Sequence, residues 1–275
     1  MTASSRGTAR HRKDRERRGF ALMLVLWLIV VLGLVSTAIV VDTREAAALS
    51  GNARARVVGR YAAESGVAAA TAAIESALAA RADTVERQRY LNQLDAALPW
   101  RGETALGDAM FSVALVDVSA RLDVNNADEQ SLARFFAQFD PSAAAGTARA
   151  IRRFIDRDAV TGGVGSQSNP GSSALIAART FRSLDELEQV PGVSLGLLRA
   201  AAPYLTVDGD GKINRVTASD TVMIAAGGSV QDEPSRVIVV SRGWLRGHSL
   251  THEIQAVYAI AGNQLTLVRW TERDL

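Results

Sequence analysis

Several small clusters in this 275-residue sequence combine residue types and spacings that ligand binding or catalysis requires. Asp156 and Asp158 stand just ahead of a Gly/Ser-rich stretch, Thr161–Ser173. Asp208-Gly209-Asp210-Gly211, followed by Lys212-Ile213-Asn214, has part of the spacing of a calcium loop. Thr206 occupies the position of that loop's first ligand and Thr217 that of its closing glutamate, so an EF-hand is excluded. The other reading of Asp208–Gly211 is a plain Gly/Asp turn, and it is the favoured one. His248 and His252 have i, i+4 spacing, but a zinc site needs a third ligand that the sequence does not point to, and the remaining histidine is His11. The chain has no cysteine, which excludes disulfides, thiolate catalysis, Cys-ligated zinc and iron–sulfur clusters. With no Ser/His/Asp constellation and no Gly-rich phosphate loop, no enzymatic activity is expected.

The elements that must hold these clusters follow from periodicity. Met110–Val118 reads as a strand, and Arg236–Leu245, Thr251–Ile260 and Gln264–Trp270 read as three more, joined by short Gly-containing turns into an antiparallel meander. Pro99-Trp100-Arg101-Gly102 reads as a turn. Between the first strand and the last three, residues 127–138, 143–157 and 183–202 read as helices, with Ser183-Leu184-Asp185-Glu186 as a capping box. Arg121–Ala127 (RLDVNNA) is faintly echoed by Lys212–Ala218 (KINRVTA), two copies being too few for a solenoid. The expected divisions are therefore 1–19, a helix over 20–82, a first part of the sheet over 83–118, a helical insert over 119–207, and the rest of the sheet over 208–275.

Charge and hydropathy concentrate at the N-terminus. Residues 1–19 hold seven basic and two acidic side chains, so they carry +5, and with a total of +2 the remainder carries −3. The basic pI near 9.3 therefore belongs to the first nineteen residues and gives no nucleic-acid signal for the rest. Phe20–Val41 is an uncharged apolar run of 22 residues; as a helix it covers roughly 33 Å, enough to span a bilayer. With the arginines ahead of it, residues 1–19 are expected in the cytoplasm and the rest exported, giving an inner-membrane, single-pass protein with a periplasmic domain. Two other readings of the run are a buried core helix and a cleaved secretory signal with Ser36-Thr37-Ala38 as its cleavage site, although the run exceeds the usual signal length. Ala-rich, proline-free sequence continues the helix to 82, with one apolar stripe through Leu49, Ala53, Val57, Tyr61, Val67, Ala70, Ile74 and Leu78. The later part of that stripe is expected to face the sheet. Gly33, Gly51, Gly59 and Gly66 are points where the helix could bend.

Arg17-Arg18-Gly19-Phe20 followed by an apolar run resembles the processing site of the type IV pilin-like superfamily. The resemblance implies that prepilin peptidase cuts after Gly19 and methylates the new N-terminal Phe20. The family's glutamate at the fifth mature position is replaced here by Leu24. In a pilin-like fibre that glutamate is thought to pair with the terminal amine of the subunit ahead, and an unpaired carboxylate in hydrocarbon is costly. A subunit with nothing ahead of it is better served by an apolar residue. In this, and in the order leader, membrane helix, sheet and helical insert, the chain is similar to the K-type minor pseudopilins of type II secretion. The insert resembles theirs in Leu122–Ala127, Ile155–Asp158, Phe181–Leu187 and Val190–Val193.

The resemblance implies an α+β pilin-like fold in which a long N-terminal helix packs on an antiparallel sheet carrying an inserted all-α domain. It implies a role in forming or capping the tip of the periplasmic pseudopilus. The partners it implies are other minor pseudopilins, prepilin peptidase and the inner-membrane assembly platform, with no nucleic acid. K-type pseudopilins can hold calcium in their insert, and Asp156 and Asp158 match the family's paired aspartates. The acidic and aromatic residues usual further along that loop are Gly, Ser and Gln here, so no cofactor is expected. The alternative is a membrane-anchored DNA-binding protein, because Val190-Pro191-Gly192-Val193-Ser194 resembles a helix–hairpin–helix turn. Against it, Ser194 replaces the second glycine, Asp185, Glu186 and Glu188 precede the turn, and only Arg199 follows closely. A periplasmic enzyme on a plain signal anchor is the remaining rival.

Overall fold

The computed structural model describes residues 9–97, 102–161, 180–227 and 229–275, with side chains described outside 9–22, 38–42, 45–46, 96–97 and 157–161. The expected turn at Pro99–Arg101 and the loop Gly162–Ser173 lie outside the described residues. The chain divides into two units, Met1–Ala55 and Arg56–Leu275.

The described part of the first unit is the N-terminal part of α1 (Ala9–Ala79), in which Gly33 and Gly51 both lie in helical backbone. In the second unit, the rest of α1 is followed by α2 (Thr84–Leu91), α3 (Leu94–Ala97), β1 (Thr104–Leu106), β2 (Ala109–Asp117) and β3 (Leu122–Asp123). Next come α4 (Glu129–Phe136), α5 (Ala144–Thr161), α6 (Leu195–Ala201), β4 (Leu205–Thr206), β5 (Ile213–Asn214), α7 (Asp220–Ala225) and β6 (Val230–Gln231). β7 (Arg236–Leu245), β8 (Thr251–Ala261) and β9 (Gln264–Asp274) close the chain.

The main sheet has the order β1-β2-β7-β8-β9, and every neighbouring pair is antiparallel. Period-2 alternation turns Val113 and Leu115 of β2, Val237 and Val239 of β7, and Ile254 and Ala256 of β8 toward one core. The C-terminal part of α1 fills that core with Ala62, Ala63, Val67, Ala70, Ile74 and Leu78. Ile74 and Leu78 are fully buried, each worth about 1.5–3 kcal/mol. The later part of the stripe faces the sheet as expected, while its earlier part, Leu49, Ala53, Val57 and Tyr61, is exposed. The buried face there is made of Gly59, Ala62, Ala63 and Gly66. The reason is steric: a Cβ on Gly243 of β7 would strike the Gly59 carbonyl oxygen and the Ala63 nitrogen, with the Ala62 carbonyl carbon 2.9 Å away. Helix and strand backbones are in contact, and only small residues fit between them.

Residues 83–97 hold α2 and α3. Asp83 caps α2 by accepting the Glu86 N–H at 2.9 Å, and Leu91 and Leu94 join the sheet core.

Between β2 and β7 the chain builds a second core of its own, from Leu122 to Ala225. Phe135, Phe136 and Ile151 of α4 and α5 are fully buried, and the Phe135 ring meets Phe136 edge-on at 5.2 Å. The expected limit at 207 falls inside this core, because Ile213, Val222 and Ala225 belong to it. The sequence echo explains the extension. Asp123 accepts the Asn125 N–H at 3.0 Å and Asn214 accepts the Val216 N–H at 3.1 Å, each through its side-chain oxygen. The Ala127 N–H returns to the Asp123 carbonyl at 2.8 Å, as does that of Ala218 to the Asn214 carbonyl at 2.9 Å. Asp128 and Ser219 then cap α4 and α7. Each copy is thus strand, Asx turn, capped helix. The strands β3 and β5 pair in parallel with β4 and β6 respectively.

Candidate functional site

The segment expected to be processed and membrane-embedded lies in the first unit. Gly19 and Phe20 fall within α1, and their side chains are outside the described ones. Leu24 is described and is 52% exposed. From Met23 to Val35 nearly every side chain is apolar and exposed, on all faces of the helix; Trp27 and Leu34 are each 67% exposed. A helix apolar on every side needs hydrocarbon or other helices around it. Among the described residues no helix is long and apolar enough to cross a membrane. Within Phe20–Val41 the described side chains are those of 23–37.

The described aspartates among the metal-ligand candidates are each engaged by neighbouring groups. Asp156 pairs with Arg152 at 3.4 Å on the surface of α5, and the side chain of Asp158 is outside the described ones. Asp208–Gly211 forms a turn at the seam between the sheet and the helical region. Arg236 of β7 donates to the carbonyl oxygens of Asp208 and Gly209, both at 2.7 Å. Arg269 of β9 pairs with the Asp208 carboxylate at 2.5 Å, and Ser235 donates to Asp210 at 2.8 Å. Gly209 sits against Asp123, where a Cβ would come within 2.7 Å of that side chain. Burial pushes the carboxyls of Asp123 and Asp208 above the usual range, although Asn126 donates to the first and Arg269 is paired with the second.

His248 lies in the β7–β8 turn and His252 on β8, where the two ring nitrogens face different carboxylates: Nδ1 meets Asp274 at 2.7 Å and Nε2 meets Glu272 at 3.3 Å. Among the described residues no group of three or more His, Asp or Glu side chains is arranged to hold a metal. Arg60 of α1 also reaches Glu272, at 3.5 Å, so the cluster ties the end of β9 to the helix.

The hairpin at Val190–Ser194 turns on a left-handed glycine, Gly192, with φ of 85°. The segment before it, Leu184–Gln189, is a 3-10 helix rather than the expected α-helix. Ser183 caps it by accepting the Asp185 N–H at 3.1 Å, while Glu186 reaches back to the Arg182 N–H at 3.3 Å, one residue before the partner a capping box requires. Asp185 and Glu188 are exposed on the approach to the turn, which does not favour binding to phosphates.

Periodicity gave no hint of the polar centre on the other face of the sheet. Glu253 of β8 is 1% exposed, and its carboxylate accepts from Arg242 at 2.6 Å, Arg273 at 2.6 Å and Gln255 at 2.7 Å. Burial alone would raise this carboxyl, but the hydrogen bonds outweigh it and hold the group below the usual glutamate range. The register signals this: Glu253 lies opposite Arg242 on β7 and Arg273 on β9, a charge ladder across three strands.

Comparison with known proteins gives one kind of likeness. No protein-family model and no curated protein matches the chain. Among solved structures it is similar to a chain of the GspK-GspI-GspJ complex of the enterotoxigenic Escherichia coli type 2 secretion system. The TM-score is 0.51 at 13% identity, over 77% of this chain and 95% of that one. At that identity the likeness is one of fold alone: a helix on an antiparallel sheet, with additional helices.

Proposed function

We propose that this chain is a minor pseudopilin of type II protein secretion, of the K type, which forms or caps the tip of the periplasmic pseudopilus and helps start its assembly. The observation that carries the reading is the architecture, a helix-backed sheet interrupted between β2 and β7 by a helical region with its own core. Its likeness in fold to a chain of the GspK-GspI-GspJ complex of a type 2 secretion system supports the same reading. So do the exposed apolar side chains from Met23 to Val35, which call for lipid or neighbouring helices.

On this reading residues 1–19 are cytoplasmic, 20–41 cross the inner membrane and the rest is periplasmic. Prepilin peptidase removes the leader at Gly19–Phe20, and Phe20 becomes the methylated N-terminus. The partners are other minor pseudopilins and the inner-membrane assembly platform. Its work is assembly, not catalysis. Leu24 spares the subunit an unpaired carboxylate in hydrocarbon, so it needs no amine from a subunit ahead. The bulk between β2 and β7 then blocks stacking on the leading side.

The test is an intact mass of the protein from membranes of a host with prepilin peptidase. The expected mass is that of a chain beginning at N-methylated Phe20. A chain that keeps Arg18-Gly19-Phe20, or one cut after Ala38, would overturn the assignment.

A further inference from the structure

A cleft of about 370 Å³ opens between the outer face of the sheet and the helical region, a size typical of ligand sites. Strands β8 and β9 supply Glu253, Arg269 and Arg273 to one wall, and the segments at Arg121, Arg182 and Leu205–Asp208 supply the other. Its charges do not cancel locally. Arg273 is committed to Glu253, and Arg269 to the Asp208 carboxylate and the Arg182 carbonyl oxygen. Glu253 is in turn saturated by Arg242, Gln255 and Arg273. Glu272 is engaged by His252 and Arg60. Every acid at the cleft is thus compensated. The guanidiniums of Arg121 and Arg182, by contrast, have no partner among the described residues. A further donor in the wall, Arg269 Nε, is buried without an acceptor.

We propose that this cleft is a binding site for an acidic peptide segment of a partner protein, with Arg121 and Arg182 receiving its carboxylates. A guanidinium presents a planar fork of donors that matches a carboxylate two bonds at a time, and it stays charged at any relevant pH. Leu184, Leu205, Val207 and Ile238 also line the cleft, so apolar side chains flanking the acid are accommodated as well. A free inorganic anion would use the guanidiniums but not these apolar walls. The site does not depend on the assembly reading, because it requires only the seam between the sheet and the helical region.

The experiment is fluorescence polarisation with the full chain in detergent micelles and a labelled, end-blocked Leu-Asp-Glu-Leu peptide at low ionic strength. Its Leu-Asn-Gln-Leu counterpart and inorganic phosphate serve as the other arms. The acidic peptide is expected to bind and to weaken as salt rises, and the amide peptide to bind at least tenfold more weakly. Arg121→Gln and Arg182→Gln should each lower affinity about tenfold with unchanged melting temperature, since neither side chain has a partner to lose. Arg199→Gln, on exposed α6 surface outside the cleft, should leave binding unchanged. The proposal is overturned by absence of binding at low salt, by equal binding of the amide peptide, or by either cleft variant binding like the parent. Full displacement by millimolar phosphate would also overturn it, leaving only a small-anion site.

Discussion

Replacing Gly243 with alanine reverses a sign that local propensity would otherwise set. In the middle of a strand, glycine costs about 0.5–1 kcal/mol relative to alanine, so at an unconstrained position the change stabilises. At Gly243 the added Cβ would strike the Gly59 carbonyl oxygen and the Ala63 nitrogen, both backbone atoms of α1, with no flexible side chain to yield. Relief requires the helix to lift from β7, loosening Ile74 and Leu78 against the sheet. Overpacking of this kind costs about 1–3 kcal/mol. For a domain the size of Arg56–Leu275 each kcal/mol lowers the melting temperature by about 2–4 °C, so a cost of about 2 kcal/mol lowers it by about 4–8 °C. The assay is thermal melting of the full chain in detergent by circular dichroism, with Gly196→Ala as control. Gly196 lies in α6, where a Cβ would meet nothing closer than 3.7 Å, so that variant should melt at or above the parent temperature. If Gly243→Ala melts at or above the parent while the control behaves as expected, the helix–strand contact is not as close as described.

Four further outcomes follow from the same structure. The Glu253 carboxyl lies below the usual range in the folded protein, so its stabilisation is complete above the unfolded glutamate value and is lost as pH falls through the depressed folded one; Glu253→Gln should cost about 2 kcal/mol at neutral pH and flatten the acid limb of a denaturation series. Burial raises Asp123, which gives the opposite slope: stability falls as pH rises from the ordinary aspartate range through the raised folded value, and carbon-detected NMR titration of the Asp123 carboxyl should show that midpoint above the usual range. Phe135→Ala should cost about 3–5 kcal/mol, and hydrogen exchange should show protection lost across α4, α5 and α7 while β7 and β8 keep theirs, because the two cores are separate. On the proposed reading, Leu24→Glu places a carboxylate where type IV pilin-like proteins carry one and should reduce secretion; unchanged secretion and unchanged tip stoichiometry would count against a leading-end position.

How much of this was legible depends on what each element uses as its signal. β7, β8 and β9 were readable because Val237 with Val239, and Ile254 with Ala256, alternate cleanly over a one-sided core. α4 and α5 were readable from their apolar spacing. α2 was not, since only its last residues reach the core and the rest, apart from the exposed Val85, is polar; the cap at Asp83 was the one cue. The stripe of α1 from Val67 to Leu78 was readable from hydropathy, but the buried face ahead of it gave no apolar signal, because close approach selects Gly59, Ala62, Ala63 and Gly66. The echo at 121–127 and 212–218 was visible, but its meaning needed the hydrogen bonds of Asp123 and Asn214. Among site features, a single glutamate in a strand pattern gives no sign that three strands will surround it with arginines, and this hid the Glu253 centre.

The central claim, a pseudopilin at the leading end of an assembly, is tested most directly by native mass spectrometry of the complex purified from a host expressing the secretion system's pseudopilins. The account predicts one copy of this chain, starting at Phe20, bound to other minor pseudopilins. Recovery of the chain only by itself, or in several copies along a fibre, would contradict it.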